Sequence, residues 1–180
     1  MKKEELLFCP LGGSGEIGMN MNLFGYGLPG DHKWIMVDIG VTFADDTYPG
    51  IDLIYPDPGF ITDKKEDLLG IVLTHAHEDH IGAIPYVISR VNVPIYSSNL
   101  TNSLISSKLK AHGLLKESTL NIIDPEIPFF FGKFEITFFR VCHSIPDSMG
   151  IAISTELGTL IHTGDFKVDY TPQDGLATDF

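Results

Sequence analysis

The chain has 180 residues, 43% hydrophobic and 20% charged, with a net charge of −12. This is the composition of a globular protein able to bury about 70% of its unfolded surface, so one folded domain is expected rather than a disordered chain. No run approaches the roughly 18 consecutive apolar residues of a membrane helix, and Met1-Lys2-Lys3 passes directly into Glu4 and Glu5, unlike a secretory signal; a cytoplasmic protein without a membrane partner is expected.

Cys9 and Cys142 are too far apart for a CxxC site or a disulfide framework, which predicts reduced, half-buried thiols. The acidic excess runs against nucleic-acid binding, because phosphates are normally met by clustered Lys and Arg and no basic run exists. Divalent cations held by carboxylates would offset part of it.

In chain order, Glu5–Pro10 reads as an opening strand, followed by a glycine-rich turn, Gly12-Gly13-Ser14-Gly15-Glu16-Ile17-Gly18. Gly13, Gly15 and Gly18 spell G-x-G-x-x-G, and Asp38 follows about twenty residues later, as in a dinucleotide site. That site needs a helix next, whereas Met19–Gly30 is interrupted by Gly and Pro and alternates like a strand. Trp34–Val37 is a third strand, delivering Asp38 just before Gly40. Asp45–Asp63, rich in Pro, Gly and Asp, reads as a long surface loop.

Ile71–Thr74 reads as a short buried strand running into His75-Ala76-His77-Glu78-Asp79-His80, three imidazoles and two carboxylates at one strand exit. Extended chain past the strand puts His75 and His77 on one side. Ile81, Ile84, Val87 and Ile88 recur at helical spacing, which places Asp79 and His80 at or just before the first helical turn. Asp79 alone could be a helix cap. The whole cluster has no common packing role and is the donor set of a zinc or manganese site.

Pro94–Tyr96 predicts a strand, and Asn99–His112 an amphipathic helix with Leu100, Leu104, Ile105 and Leu109 on its buried face and Gly113 as its stop. Leu120–Ile123 and Phe134–Phe139 are further strands, and Phe129-Phe130-Phe131 reads as a buried stretch entering a hairpin. His143 and Asp165 both stand at strand exits, where a lone His or Asp is usually structural; His32, His112 and His162 read as ordinary histidines.

The run Leu73–Pro85, with its His-x-His-x-Asp-His core, resembles the signature of the metallo-β-lactamase superfamily and, within it, the ribonuclease J branch of the β-CASP nucleases. The Gly-Glu-Ile-Gly-x-Asn stretch ending at Asn20 is similar to that branch as well, and the resemblance runs from about Leu6 to Phe180. It implies an α+β fold, the αβ/βα sandwich, of which this chain holds the N-terminal part without the β-CASP insertion and second half. It also implies two divalent ions, zinc or manganese. His75, His77 and His143 would hold one ion and Asp79, His80 and Asp165 the other, with Asp165 bridging and Asp38 orienting a ligand imidazole. The activity implied is hydrolysis of RNA, exo- or endonucleolytic, by a homo-oligomeric full-length protein, with Asp79 and Asp165 taking part in catalysis. A hydrolase of small thioesters or lactams, or a non-catalytic metal-binding fragment, would use the same residues. With half the sandwich missing, the strand surface around Phe138, Ile151 and Ile153 is expected to be exposed.

Overall fold

A computed structural model describes residues 2–44, 46–173 and 177–179. The chain begins with strands Glu5–Gly12 (β1), Met21–Leu28 (β2) and Asp31–Val37 (β3), then the short strands Thr42–Phe43 (β4) and Leu53–Ile54 (β5). A one-turn helix, Gly59–Thr62 (α1), precedes strand Leu68–Val72 (β6), which leads into helices Glu78–Ile81 (α2) and Ile84–Val91 (α3). Strand Ile95–Ser97 (β7) and helix Asn99–Ala111 (α4) follow. Leu120–Ile122 (β8), Phe129–Phe131 (β9), Phe134–Arg140 (β10), Met149–Thr155 (β11) and Gly158–His162 (β12) come last.

Six strands form one sheet in the order β1-β2-β3-β6-β7-β8, antiparallel through β3 and parallel from there on. A second sheet, β12-β11-β10-β9, is antiparallel throughout. Because side chains alternate across a strand, the central strands serve two cores. Leu23, Trp34, Met36 and Ile71 face Ile84, Val87, Val91, Ile105 and Leu109 on α3 and α4. Their neighbours Phe24, Ile35, Val37 and Val72 face Phe134, Ile136, Phe138, Ile151 and Ile153 of the second sheet. The layers are therefore helices, six-stranded sheet, four-stranded sheet, the mixed α+β architecture expected.

Several sequence-based expectations need correction. Phe138, Ile151 and Ile153 are buried, because the inner face of the second sheet packs on the first. Its outer face instead exposes Phe130 and Ile161. The Phe129–Phe131 run is accordingly split by strand alternation, with Phe131 buried and Phe130 67% exposed. On α4 the buried row is Thr101, Ile105 and Leu109, spaced by four, while Leu104 is 42% exposed and Leu100 only partly buried. The predicted 45–63 loop contains β5, α1 and the fully buried Ile61. Asp45 and Phe180 lie outside the described residues. Cys142 is buried rather than half-buried, whereas Cys9 is partly exposed.

The glycine-rich turn after β1 leads into strand β2, so the helix a dinucleotide site needs is absent there. The helix predicted from Ile81 is two pieces. Pro85 has no N–H to continue the ladder, and Ala83 N donates to Ile39 O across the gap instead of within the helix.

Candidate metal centre

Past the end of β6 the chain stays extended because its N–H groups still find partners. Leu73 N donates to Tyr96 O (2.9 Å), and Thr74 N donates to Asp38 Oδ1 (2.9 Å). His77 then caps α2 in an extended conformation, so Asp79 and His80 fall within the first helical turn. A four-residue helix has no stability of its own. Here its carbonyls are gripped from outside: Val41 N donates to Glu78 O (3.1 Å), Asn20 N to Asp79 O (3.0 Å) and Ile39 N to His80 O (2.7 Å). The approach is so close that a Cβ on Gly40 would collide with the Asp79 carbonyl.

This scaffold brings six predicted residues together. His77 Nδ1 lies 3.1 Å from His75 Nε2 and 3.0 Å from His143 Nε2. On the other side, His80 Nε2 lies 3.6 Å from Asp79 Oδ2 and 3.4 Å from Asp165 Oδ1, while Asp165 Oδ2 is 3.7 Å from His143 Nε2. Asp165 thus presents one oxygen to each side. His75, His77 and His143 form one group whose donor atoms lie within 4.8 Å of one another, and His75, His80 and Asp165 form another. His143 reaches the cluster from the β10–β11 loop, which is pinned to the start of α4 where Leu100 N donates to Asp147 Oδ2 (3.4 Å).

Asp38, the seventh predicted residue, lies behind the cluster, fully buried, with φ of 62°. Left-handed backbone is tolerated by Asp better than by most residues. Its Oδ2 accepts from His80 Nδ1 (2.7 Å) and from Thr74 Oγ1 (2.9 Å), and Thr74 Oγ1 is 3.0 Å from His75 Nδ1. Three contributors were not among the site residues expected from the sequence. Thr74 is one. Asn20, whose Nδ2 reaches Asp79 O (3.1 Å) and His80 Nε2 (3.2 Å), is another. His162 is the third, with a buried Nε2 3.9 Å from Asp38 Oδ2, near enough for charge attraction but without a hydrogen-bond partner. The closeness of His162 to Asp165 in sequence was the available signal, yet its ring faces Asp38 and the edge of Phe24 rather than the ligand cluster. His32 pairs with Glu5 and His112 contacts Tyr86, both away from the site.

Burial, reinforced by positive charge on His80, pushes His75 down to about 3, and burial likewise lowers His143. Burial would lower His80 too, but the Asp38 charge and hydrogen bonds to Asp165 and Asp38 raise it to about 10. Asp38 is held below the usual carboxylate range: burial, the largest single influence, would raise it, and the contributions of His80 and His162, led by the facing charge of His80, together outweigh that. A hydrogen bond from His80 is the main cause of the lowering of Asp165. His75 and His143 are therefore neutral at pH 7, the form that ligates metals.

The donor set fits a divalent cation. His77 Nδ1 carries at most one hydrogen for two neighbouring imidazole nitrogens, whereas a cation satisfies all three. Their 3.0–3.1 Å separations approach the tetrahedral edge of about 3.3 Å expected for Zn–N bonds of about 2.0–2.1 Å. Beside the cluster a cavity of about 310 Å³ is lined by Arg140, Cys142, His143, Ile145 and Pro146 among others.

Comparison with known proteins bears on this arrangement. The chain is 45% identical over 176 residues to the ribonuclease J of Sinorhizobium meliloti, covering 98% of this chain and 31% of the relative. It is 42% identical over 178 residues to the ribonuclease J of Helicobacter pylori, covering 98% and 25% respectively. The chain thus spans about a quarter to a third of the length of these curated relatives. Among solved structures, the metallo-beta-lactamase fold protein YhfI from Bacillus subtilis superposes with a TM-score of 0.60 at 19% identity, over 91% of this chain and 63% of that one, a likeness of fold. The sequence profile of the metallo-beta-lactamase superfamily, whose members bind divalent metals, matches residues 23–172, and the chain belongs to that superfamily.

Proposed function

We propose that this chain is the metal-binding portion of a ribonuclease of the ribonuclease J type, hydrolysing RNA phosphodiester bonds. The observation that carries the hydrolytic reading is the convergence of His75, His77 and His143 on one point, with Asp165 reaching from there to His80. The choice of RNA is supported by the likeness to ribonuclease J along 98% of the chain.

In this reading His75, His77 and His143 hold one ion, and Asp79, His80 and Asp165 the other, with zinc or manganese as the metal. Such a pair supplies a water acidified toward neutrality and positive charge for the phosphoryl oxygens. The protein's own contribution is orientation. Asp165 ties the two donor groups through its separate oxygens, Asp38 holds the His80 ring with Nε2 toward the site, and Asp79, rooted in α2, offers a part-exposed carboxylate 3.6 Å from His80 Nε2.

The cavity beside His143 is at the floor of the size range of ligand pockets, roughly 300–1,000 Å³, and the net charge of −12 opposes the approach of a phosphate backbone. Positioning of RNA therefore depends on parts of the longer relatives that this chain does not span, and misplacement by about 1 Å can cost a hundredfold in rate. The test is cleavage of a 5′-monophosphorylated RNA, with zinc or manganese added, by this chain and by the full-length protein, each alongside its Asp79→Ala variant. Asp79-dependent cleavage by the full-length protein and little by the chain alone is expected. Hydrolysis of a lactam or thioester in preference to RNA would overturn the assignment.

A further inference from the structure

We infer that Thr74 is a positioning residue of the metal centre: its hydroxyl passes the orientation set by the buried Asp38 carboxylate on to His75, so that one carboxylate governs two ligand imidazoles. This rests on reading His75 and His80 as metal ligands. Asp38 acts on His80 directly, through the 2.7 Å contact of Oδ2 with Nδ1. Its hydrogen-bonded link to His75 runs through the Thr74 hydroxyl.

The hydrogen count leaves little freedom. An ionised carboxylate only accepts, so at 2.9 Å the single hydrogen of the Thr74 hydroxyl is donated to Asp38 Oδ2. The hydroxyl then has only lone pairs to offer His75 Nδ1, 3.0 Å away, and that nitrogen must carry the ring proton. His75 Nε2 is left with its lone pair, aimed at the point where His77 and His143 converge. Thr74 is 1% exposed, so no bulk water replaces the hydroxyl if it is removed. The backbone bond from Thr74 N to Asp38 Oδ1 is independent of the side chain and survives substitution. Valine, of the same shape without the hydroxyl, would leave the His75 Nδ1–H unsatisfied and release the ring to the other tautomer, with a hydrogen on Nε2 pointing into the donor cluster.

The experiment compares wild type with Thr74→Val, Thr74→Ala and Thr74→Ser by two readouts. Imidazole ¹⁵N spectra of the metal-free chains report which nitrogen of His75 bears the proton, and competition titration with zinc alone reports affinity. The expected result is Nδ1 protonation in wild type and Ser, loss of that preference in Val and Ala, and zinc affinity lower in Val and Ala by about 10- to 100-fold with recovery in Ser. If Val does not fold by circular dichroism, the Ala and Ser pair decides, since Ser keeps the hydroxyl and loses the methyl. A His75 tautomer unchanged in Val or Ala, or a Ser variant as impaired as Ala, overturns the inference. Absence of zinc binding in wild type would overturn the metal reading instead, and the metal-free spectra would still judge Thr74.

Discussion

Asp38 Oδ2 and His80 Nδ1 meet at 2.7 Å, with both side chains all but sealed from solvent. Asp38 comes from the end of β3 and His80 from α2, so this buried pair adds a side-chain link to the backbone bonds that join the sheet to the ligand-bearing turn. Removing one partner of such a pair strands the other. Asp38→Asn should lower the stability of the metal-free chain by roughly 3 kcal/mol in urea unfolding and weaken zinc binding about 10- to 100-fold. Wild-type values for both would mean that the pair neither stabilises the fold nor orients His80.

The same pair predicts how stability varies with pH in the absence of metal. His75, at about 3 in the folded chain against about 6.5 unfolded, is protonated first in the unfolded state, so stability falls as pH drops below about 6.5. Asp38, depressed by folding, adds to that loss below about 4. His80 works in the opposite direction. Raised to about 10, its contribution is complete below about 6.5 and is lost as pH climbs toward 10. Urea midpoints measured in chelator should therefore peak near pH 6.5, and Asp38→Asn should flatten the alkaline side. A wild-type midpoint level from pH 7 to 10 would contradict this.

Gly40 tests how α2 is held. The Asp79 carbonyl packs against the bare Cα of Gly40 while accepting from both the backbone and the side chain of Asn20. Gly40→Ala should force the loop and helix apart, costing about 1–3 kcal/mol as an overpacking change, and should weaken zinc binding because Asp79 and His80 move with the helix. Loss of stability with metal affinity intact would show that α2 is positioned by something other than these backbone contacts.

His75, His77, Asp79 and His80 could be read as a site from the sequence because six consecutive residues contain them all, and the strand-to-helix switch at Thr74–Ile81 is local. His143 and Asp165 drew attention as ligands only through resemblance, since nothing in their own neighbourhoods ties them to His77. Their approach is set by how β10–β12 pack on the first sheet. Thr74 was invisible for a related reason: its hydroxyl meets Asp38 only because β3 and β6 pair in parallel with Val37 opposite Val72. Burial was misjudged where residue type and position disagree, as with exposed Leu104 and buried Thr101 on α4. At Phe138, Ile151 and Ile153 the covering layer is the chain's own first sheet, so no further segment is needed to bury them.

The central claim is that the imidazoles converging on His77 Nδ1 hold a divalent cation. Elemental analysis after mild dialysis, comparing the wild-type chain with His75→Ala/His77→Ala, tests it most directly. At least one equivalent of zinc or manganese per wild-type chain, largely lost in the folded double variant, is the predicted result. Equal metal content in the two proteins would contradict it.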